Sequence, residues 1–306
     1  MEETHPDSSS ITIRQMTPDD LPFCRHLVKE AGWNQTDADW LRAMDLEPTG
    51  CFVAEANQQP VATTTVCCFE NIAWIAMVLV DKKVRGRGIG KLIVEHAIAY
   101  LDAKGIETIR LDATSLGQGL YKKLGFREEY EVIRFTGGRR SGGRRSGDPA
   151  ADDPTPGTLE IGNIRRIFKG DVMMDEIVRL DEEATATFRR SFINSFAKTN
   201  NIPFYCSITD GAVTGYAGCR EGIIAIQIGP LATSVPESGY RLLDQIASQF
   251  PEKPMFIDIP SNNTAALHWA AANAFTEQRR FVRMYRGFKI HDSPELIWAS
   301  SGPEKG

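Results

Sequence analysis

Nothing in this sequence approaches the ~20 consecutive apolar residues that a membrane-spanning helix needs, so no membrane segment is expected. Paired cysteine motifs are missing too: Cys24, Cys51, Cys67, Cys68, Cys206 and Cys219 show no C-x-x-C spacing. Scattered thiols of this kind serve as small buried hydrophobes in a reducing compartment, which predicts neither disulfides nor a metal site. There is no excess of positive charge. The formal net charge is -5, whereas phosphate recognition needs a concentrated basic surface, so nucleic acid is not expected as the main partner. Met1 to Ser10 has neither the basic start nor the apolar stretch of a secretory leader. Residues 1–10 therefore read as a frayed polar tail, and a cytoplasmic location is expected.

What is there has the composition of an ordinary globular chain, 42% hydrophobic and 25% charged. At 306 residues the chain exceeds what one core fills, so two domains are expected. The boundary is legible. Gly137-Gly138-Arg139-Arg140-Ser141 is followed at once by the same pentapeptide, Gly142 to Ser146, and then by a run rich in Asp, Pro and Ala. Such a segment buries no apolar surface, so residues 138–157 read as a flexible linker between domains at 11–137 and 158–306. Its Arg pairs are explained as well by a solvated tether as by an acidic partner.

In the first domain, Ile11 to Met16 alternates like a strand, and Thr17-Pro18-Asp19-Asp20 supplies an N-cap, a proline in the first turn and an acidic third position, predicting a helix to about Gly32. Thr36 to Asp39 repeats that signal, and Pro48 and Gly50 close the second helix. Three strands, Cys51 to Ala56, Val61 to Glu70 and Ile72 to Asp81, read as a meander. An amphipathic helix follows over about Gly88 to Lys104, stopped by Gly105. A strand at Thr108 to Thr114, a short helix around Gly119 to Leu124 and a strand from Phe126 to Thr136 complete this half.

The chemistry-bearing segment is Arg85-Gly86-Arg87-Gly88-Ile89-Gly90, between an apolar strand and a helix start. Free N–H groups and the positive end of a helix dipole make that junction an anion site, and its glycines let a bulky pyrophosphate approach the backbone. The spacing G-x-G-x-G is not the G-x-G-x-x-G of dinucleotide folds. Leu92 after Lys91 also denies the nucleoside triphosphate loop its hydroxyl.

The pattern Arg85-x-x-Gly88-x-Gly90 resembles the pyrophosphate loop of the GCN5-related N-acetyltransferases (GNAT). The apolar strand Trp74 to Val80 precedes it, and Leu111-Asp112-Ala113-Thr114 and Tyr121-Lys122-Lys123-Leu124-Gly125-Phe126 follow in the family's order. The resemblance runs through residues 11–137. It implies an α/β (α+β) fold, with a mixed, mostly antiparallel twisted sheet flanked by helices, and acetyl-CoA as co-substrate. In the family the strand before the loop pairs with the pantetheine arm and aims a peptide N–H at the thioester carbonyl. Carried over, those backbone groups belong to Val78, Leu79 and Val80, and Arg85, Gly86, Arg87, Gly88, Ile89, Gly90 and Lys91 cradle the pyrophosphate. Tyr121 matches the position of the acid that protonates the departing thiolate. A packing role with its hydroxyl at the surface is the alternative. The base that deprotonates the acceptor, acting directly or through water, is undecided among Glu70, Asp112 and Glu55. His96 reads as part of its helix.

Beyond the linker the fold repeats. Placing Phe126 on Phe275 also puts Glu128 on Glu277, Ile133 on Val282, Arg134 on Arg283 and Phe135 on Met284. Strands are expected at Phe204 to Thr209, Val213 to Cys219, Ile223 to Ile228 and Met255 to Ile259, with helices at Glu237 to Gln249 and Thr264 to Ala272. This copy lacks the loop, Gly229 to Pro236 standing in its place, and Ala270 falls where Tyr121 was. It should not bind acetyl-CoA in the usual way. Asp258-Ile259-Pro260, Asn263 and Arg283-Met284-Tyr285-Arg286-Gly287 make the whole chain similar to tandem acetyltransferases with a degenerate second domain. The resemblance implies an acyltransferase acting on a primary amine of a small or amino-acid-like molecule, by direct attack in a ternary complex and without metal. A non-catalytic CoA-binding or regulatory module and a peptide or protein lysine acetyltransferase are the alternatives, and a homodimer stays open.

Overall fold

A computed structural model describes residues 11–138, 163–198 and 203–302. The expected N-terminal tail and residues 139–157 of the expected linker lie outside the described residues. The first half runs β1 (Ile11–Gln15), α1 (Leu21–Ala31), α2 (Asp37–Leu46), β2 (Phe52–Ala56), β3 (Gln59–Phe69), β4 (Ile72–Val80), α3 (Ile89–Ala103), β5 (Thr108–Ala113), α4 (Ser115–Lys123) and β6 (Arg127–Gly137). The second repeats the order: β7 (Asn163–Arg166), α5 (Met174–Thr185), α6 (Arg190–Ala197), β8 (Phe204–Thr209), β9 (Ala212–Arg220), β10 (Ile226–Thr233), α7 (Pro236–Gln249), β11 (Met255–Pro260), α8 (Thr264–Ala272) and β12 (Thr276–Gly287). A short extra strand, β13 (Ile297–Ala299), follows.

The helix signals act as expected. Thr17 and Thr36 each form a capping box with the Asp three residues on, and Gly32 closes α1 in the left-handed region at φ 63°. Two elements differ by several residues from their expected bounds. The helix α4 begins at Ser115, because Thr114 in extended conformation already starts it. The strand β10 starts at Ile226 rather than Ile223 and runs on through Gly229-Pro230 to Thr233 rather than ending at Ile228. Proline is tolerated there because the pairing of β10 with β9 is bulged between Ile228 and Leu231.

The sheets of the two halves are one. The strand order is β1-β2-β3-β4-β5-β12-β6-β11-β10-β9-β8-β7, with β13 paired to β10. The last strand of each repeat sits beside the fifth strand of the other: β12 pairs β5 (Arg283 opposite Asp112) and β6 pairs β11 (Arg134 opposite Asp258). The two exchanged strands also pair with each other, Thr276 opposite Thr136 and Tyr285 opposite Arg127. One apolar core drawn from both halves lies under α1, α2, α5 and α6; Leu27, Trp40, Phe192 and Phe196 belong to it. Separate cores lie under α3 and α4, and under α7 and α8. No helix among the described residues is long and apolar enough to cross a membrane.

Candidate active site

The site begins where two parallel strands part. The strand β4 pairs β5 only through Ile72, Ala73 and Trp74. From Ile75 to Val80 its outer edge has no strand partner among the described residues, so alternate backbone N–H and C=O groups face the gap. On its other side β4 is bulged. Thr63 faces Leu79 and Thr65 faces Ala76, so Met77 and Val78 together oppose Thr64. Met77 takes φ 48° to achieve this. The hydroxyls of Thr63 and Thr64, both buried, donate to the carbonyls of Met77 (3.0 Å) and Ala76 (3.2 Å) and fix the bulge. Val78, Leu79 and Val80, the residues expected to meet the pantetheine arm, lie at the bulge and immediately after it.

Beyond Val80 the chain turns into α3. The Asp81 carboxylate accepts from the Lys83 amide at 2.8 Å, and Arg85 Nε donates back to the Val80 carbonyl at 2.9 Å, so the turn is pinned at both ends. Gly86 (φ 80°) and Gly88 (φ 79°) occupy the left-handed region that other residues avoid, and Gly88 is the N-cap of α3. The first intrahelical bond runs from the Leu92 amide to the Gly88 carbonyl at 3.0 Å. The amides of Ile89, Gly90 and Lys91 therefore have no acceptor within the helix and form its anion-attracting end. The segment Arg85 to Lys91 is thus a turn built around positive-φ glycines and opening a 15-residue helix.

A cleft runs through the gap between β4 and β5. Ile75, Val78, Leu111 and Tyr121 line it from the core under α3 and α4. Trp33, Ala76, Met77 and, from the second repeat, Phe281 line it elsewhere, together with Asp112 and Thr114. Tyr121 is 9% exposed, its ring edge-on to Phe126 at 5.8 Å, and burial pushes its phenol well above the usual range. It stays protonated throughout the neutral range, as a proton donor must.

The three carboxylates considered as bases stand apart. Glu70 sits exposed at the β3–β4 turn with φ 54°. Glu55 accepts from Arg14 Nε at 2.7 Å, across β1 and β2. Asp112 alone borders the cleft, but Arg283 grips both its oxygens at 2.9 and 3.0 Å, each side chain 1% exposed. His96 packs edge-on to Phe52 at 4.6 Å, and burial lowers its pKa.

Three features were missed in the sequence: the Met77 bulge, Trp33 at the cleft, and Phe281 reaching it from the other repeat. The first had a weak signal in Thr63-Thr64, hydroxyls buried on a strand. The others depend on tertiary placement.

In the second repeat the corresponding gap is closed. Gly229 (φ 127°) and Pro230 form the bulge of β10, and Pro230 has no N–H to offer. The gap between β10 and β11 is filled by β13, which pairs β10 at Leu231 and Ala232, and by the next residue, Ser300, whose amide donates to the Asp258 carbonyl of β11 at 2.8 Å.

With this geometry the chain can be placed among known proteins. The acetyltransferase (GNAT) domain family matches twice, at residues 47–128 and at residues 177–299. The chain belongs to this family and carries its domain in tandem. An uncharacterised N-acetyltransferase of Methanocaldococcus jannaschii is 32% identical over 145 residues, a match covering 40% of this chain and 63% of that protein's length. One from Bacillus subtilis is 23% identical over 244 residues, 78% of each chain. Among solved structures, a candidate acetyltransferase from Pyrococcus horikoshii superposes with a TM-score of 0.80 at 22% identity, covering 100% of this chain and 99% of that one. A tandem GNAT protein from the clavulanic acid biosynthesis pathway gives 0.64 at 13% identity, covering 92% and 100%.

Proposed function

We propose that this protein is an acetyl-CoA-dependent N-acetyltransferase whose catalytic unit is residues 11–137, with residues 158–306 as a degenerate second unit. The acceptor is the primary amine of a small molecule. The observation that carries this reading is the open, bulged edge of β4 leading into the glycine turn and the free amides of α3, beside the cleft that Tyr121 borders. Acetyl-CoA supplies the activated acetyl thioester. Ile89, Gly90 and Lys91 offer amides, and Arg85 and Arg87 charge, to its pyrophosphate. The edge of β4 at Val78, Leu79 and Val80 offers strand-like hydrogen bonds to its arm. A backbone N–H held at the bulge stabilises negative charge developing on the carbonyl oxygen, and one such donor is worth about 3 kcal/mol of barrier.

Chemistry then needs only proton movements. The neutral amine forms its bond to the acetyl carbon as the carbon–sulfur bond breaks. Tyr121 gives its proton to the leaving sulfur, and the amine's proton leaves by water. Asp112 is not required as the base, since both its oxygens are engaged by Arg283.

The test is thiol release from acetyl-CoA with a panel of amines, run beside calorimetry with acetyl-CoA alone. Amine-dependent release with equimolar acetylated product supports the reading. Tight acetyl-CoA binding with no amine-dependent release would instead identify a CoA-binding regulatory module.

A further inference from the structure

The cleft is lined in part by the core under α3 and α4. Trp33, Met77 and Phe281 also line it, with Asp112 already paired with Arg283. None of the described residues lining the cleft is cationic. A carboxylate beside the acceptor amine would therefore enter a cleft whose described lining, apolar but for Asp112, Thr114 and Tyr121, offers no counter-charge, and burying an unpaired ion is prohibitive. An apolar body would gain contact with aromatic and thioether surface at little cost.

The loop that brings Trp33 to the cleft is also held firmly. Asn34, next to Trp33, is clamped by the second repeat. Its Oδ1 accepts from the amides of Ile224 (2.8 Å) and Ala225 (3.0 Å), and its Nδ2 donates to the Ala225 carbonyl at 2.9 Å. The Ile223 amide donates to the Asn34 carbonyl, and Arg220 reaches Asp39 of α2 at 2.9 Å. Phe281 is 3% exposed on β12, between β5 and β6, with the Arg134 guanidinium 5.2 Å from its ring centre. The second repeat thus supplies one wall directly and positions the loop that carries another.

We infer that the acceptor is a primary amine on an apolar, aromatic or branched aliphatic body with no carboxylate beside the nitrogen, received between Trp33 and Phe281, the latter a specificity residue lent by the second repeat. This inference rests on the acetyl-transfer reading above and narrows it. The experiment compares thiol release from acetyl-CoA by the full chain with phenethylamine, isopentylamine, phenylalanine, ethanolamine and spermidine. The expected result is a kcat/KM for phenethylamine or isopentylamine at least about tenfold above that of the other three. Phe281→Ala should raise KM for phenethylamine about tenfold, the scale on which hydrophobic pockets discriminate, while leaving the acetyl-CoA Kd unchanged. Phe281→Leu, which keeps the core filled, should show a smaller rise in KM with an unaltered melting temperature. If phenylalanine, ethanolamine or spermidine is the best acceptor, acetyl transfer stands and the apolar acceptor is overturned. If KM is unmoved in both variants, Phe281 is overturned as its wall. If no amine releases CoA, the acetyl-transfer reading fails and this inference fails with it.

Discussion

At the scale of single residues, the proposed chemistry turns on buried side chains. Tyr121 is buried with its phenol raised, so its proton is retained as pH rises past the ordinary phenol range near 10. Accordingly, Tyr121→Phe should lower kcat about a hundredfold, the lower end of general-acid contributions, and leave the calorimetric Kd for acetyl-CoA in place. An unchanged kcat would remove it from the mechanism. In the wild type, the alkaline limb of the kcat profile should not fall at the ordinary phenol pKa. The Asp112–Arg283 pair sets a different test. Arg283→Met strands a buried carboxylate and should cost about 3–5 kcal/mol in denaturant unfolding, while the double variant Asp112→Leu, Arg283→Met should recover most of that loss. In the sequence Asp112 was one of three carboxylates between which nothing decided, and its place at the cleft came from the structure. Its partner was not legible either, because Arg283 lies on a strand of the other repeat and no local pattern announces a pairing across that distance.

At the scale of elements, the proposed cofactor site rests on the loop and the strand before it. Gly88→Asp places bulk and like charge where the pyrophosphate would lie, at a φ of 79° that suits glycine. It should weaken acetyl-CoA binding at least a hundredfold by calorimetry, and the strained backbone should cost about 1–2 kcal/mol in stability. In the second repeat the corresponding slot holds β13, whose Trp298 is 2% exposed and meets Tyr240 edge-on at 5.0 Å. Trp298→Ala should therefore destabilise the chain by about 3–5 kcal/mol, read as a drop in the denaturation midpoint, with acetyl-CoA binding retained in the surviving fold. Elements with strong local signals were readable: both capping boxes, the span of α3, and the meander β2 to β4. The elements β7, α5, α6 and β13 were not. The strands are short, and the two helices are ordered by a core they share with α1 and α2 rather than by caps of their own.

At the scale of the whole molecule, the repeat was visible in the matched segments around Phe126 and Phe275, but its physical form was not. Register between distant strands is set by which faces must be buried, and a repeat predicts two like sheets without saying that they trade their last strands. The trade makes each half incomplete alone, since β5 lacks its neighbour without β12 and β11 lacks its neighbour without β6. Cleaving the chain between residues 138 and 163 should therefore leave two fragments that co-elute in gel filtration and unfold in one transition. Residues 11–137 expressed alone should not give a folded monomer. A folded, monomeric isolated half would contradict the reciprocal pairing.

The exchanged strands also constrain how such a chain can change over generations. The gap of the second copy can be filled, as Pro230 and β13 illustrate, without disturbing the exchanged strands that join the two halves. Deleting that copy outright is a different matter, because the first would lose a strand from its middle. Whether or not it carries a site, the second copy is thus bound into the architecture, because its last strand is part of its twin's sheet.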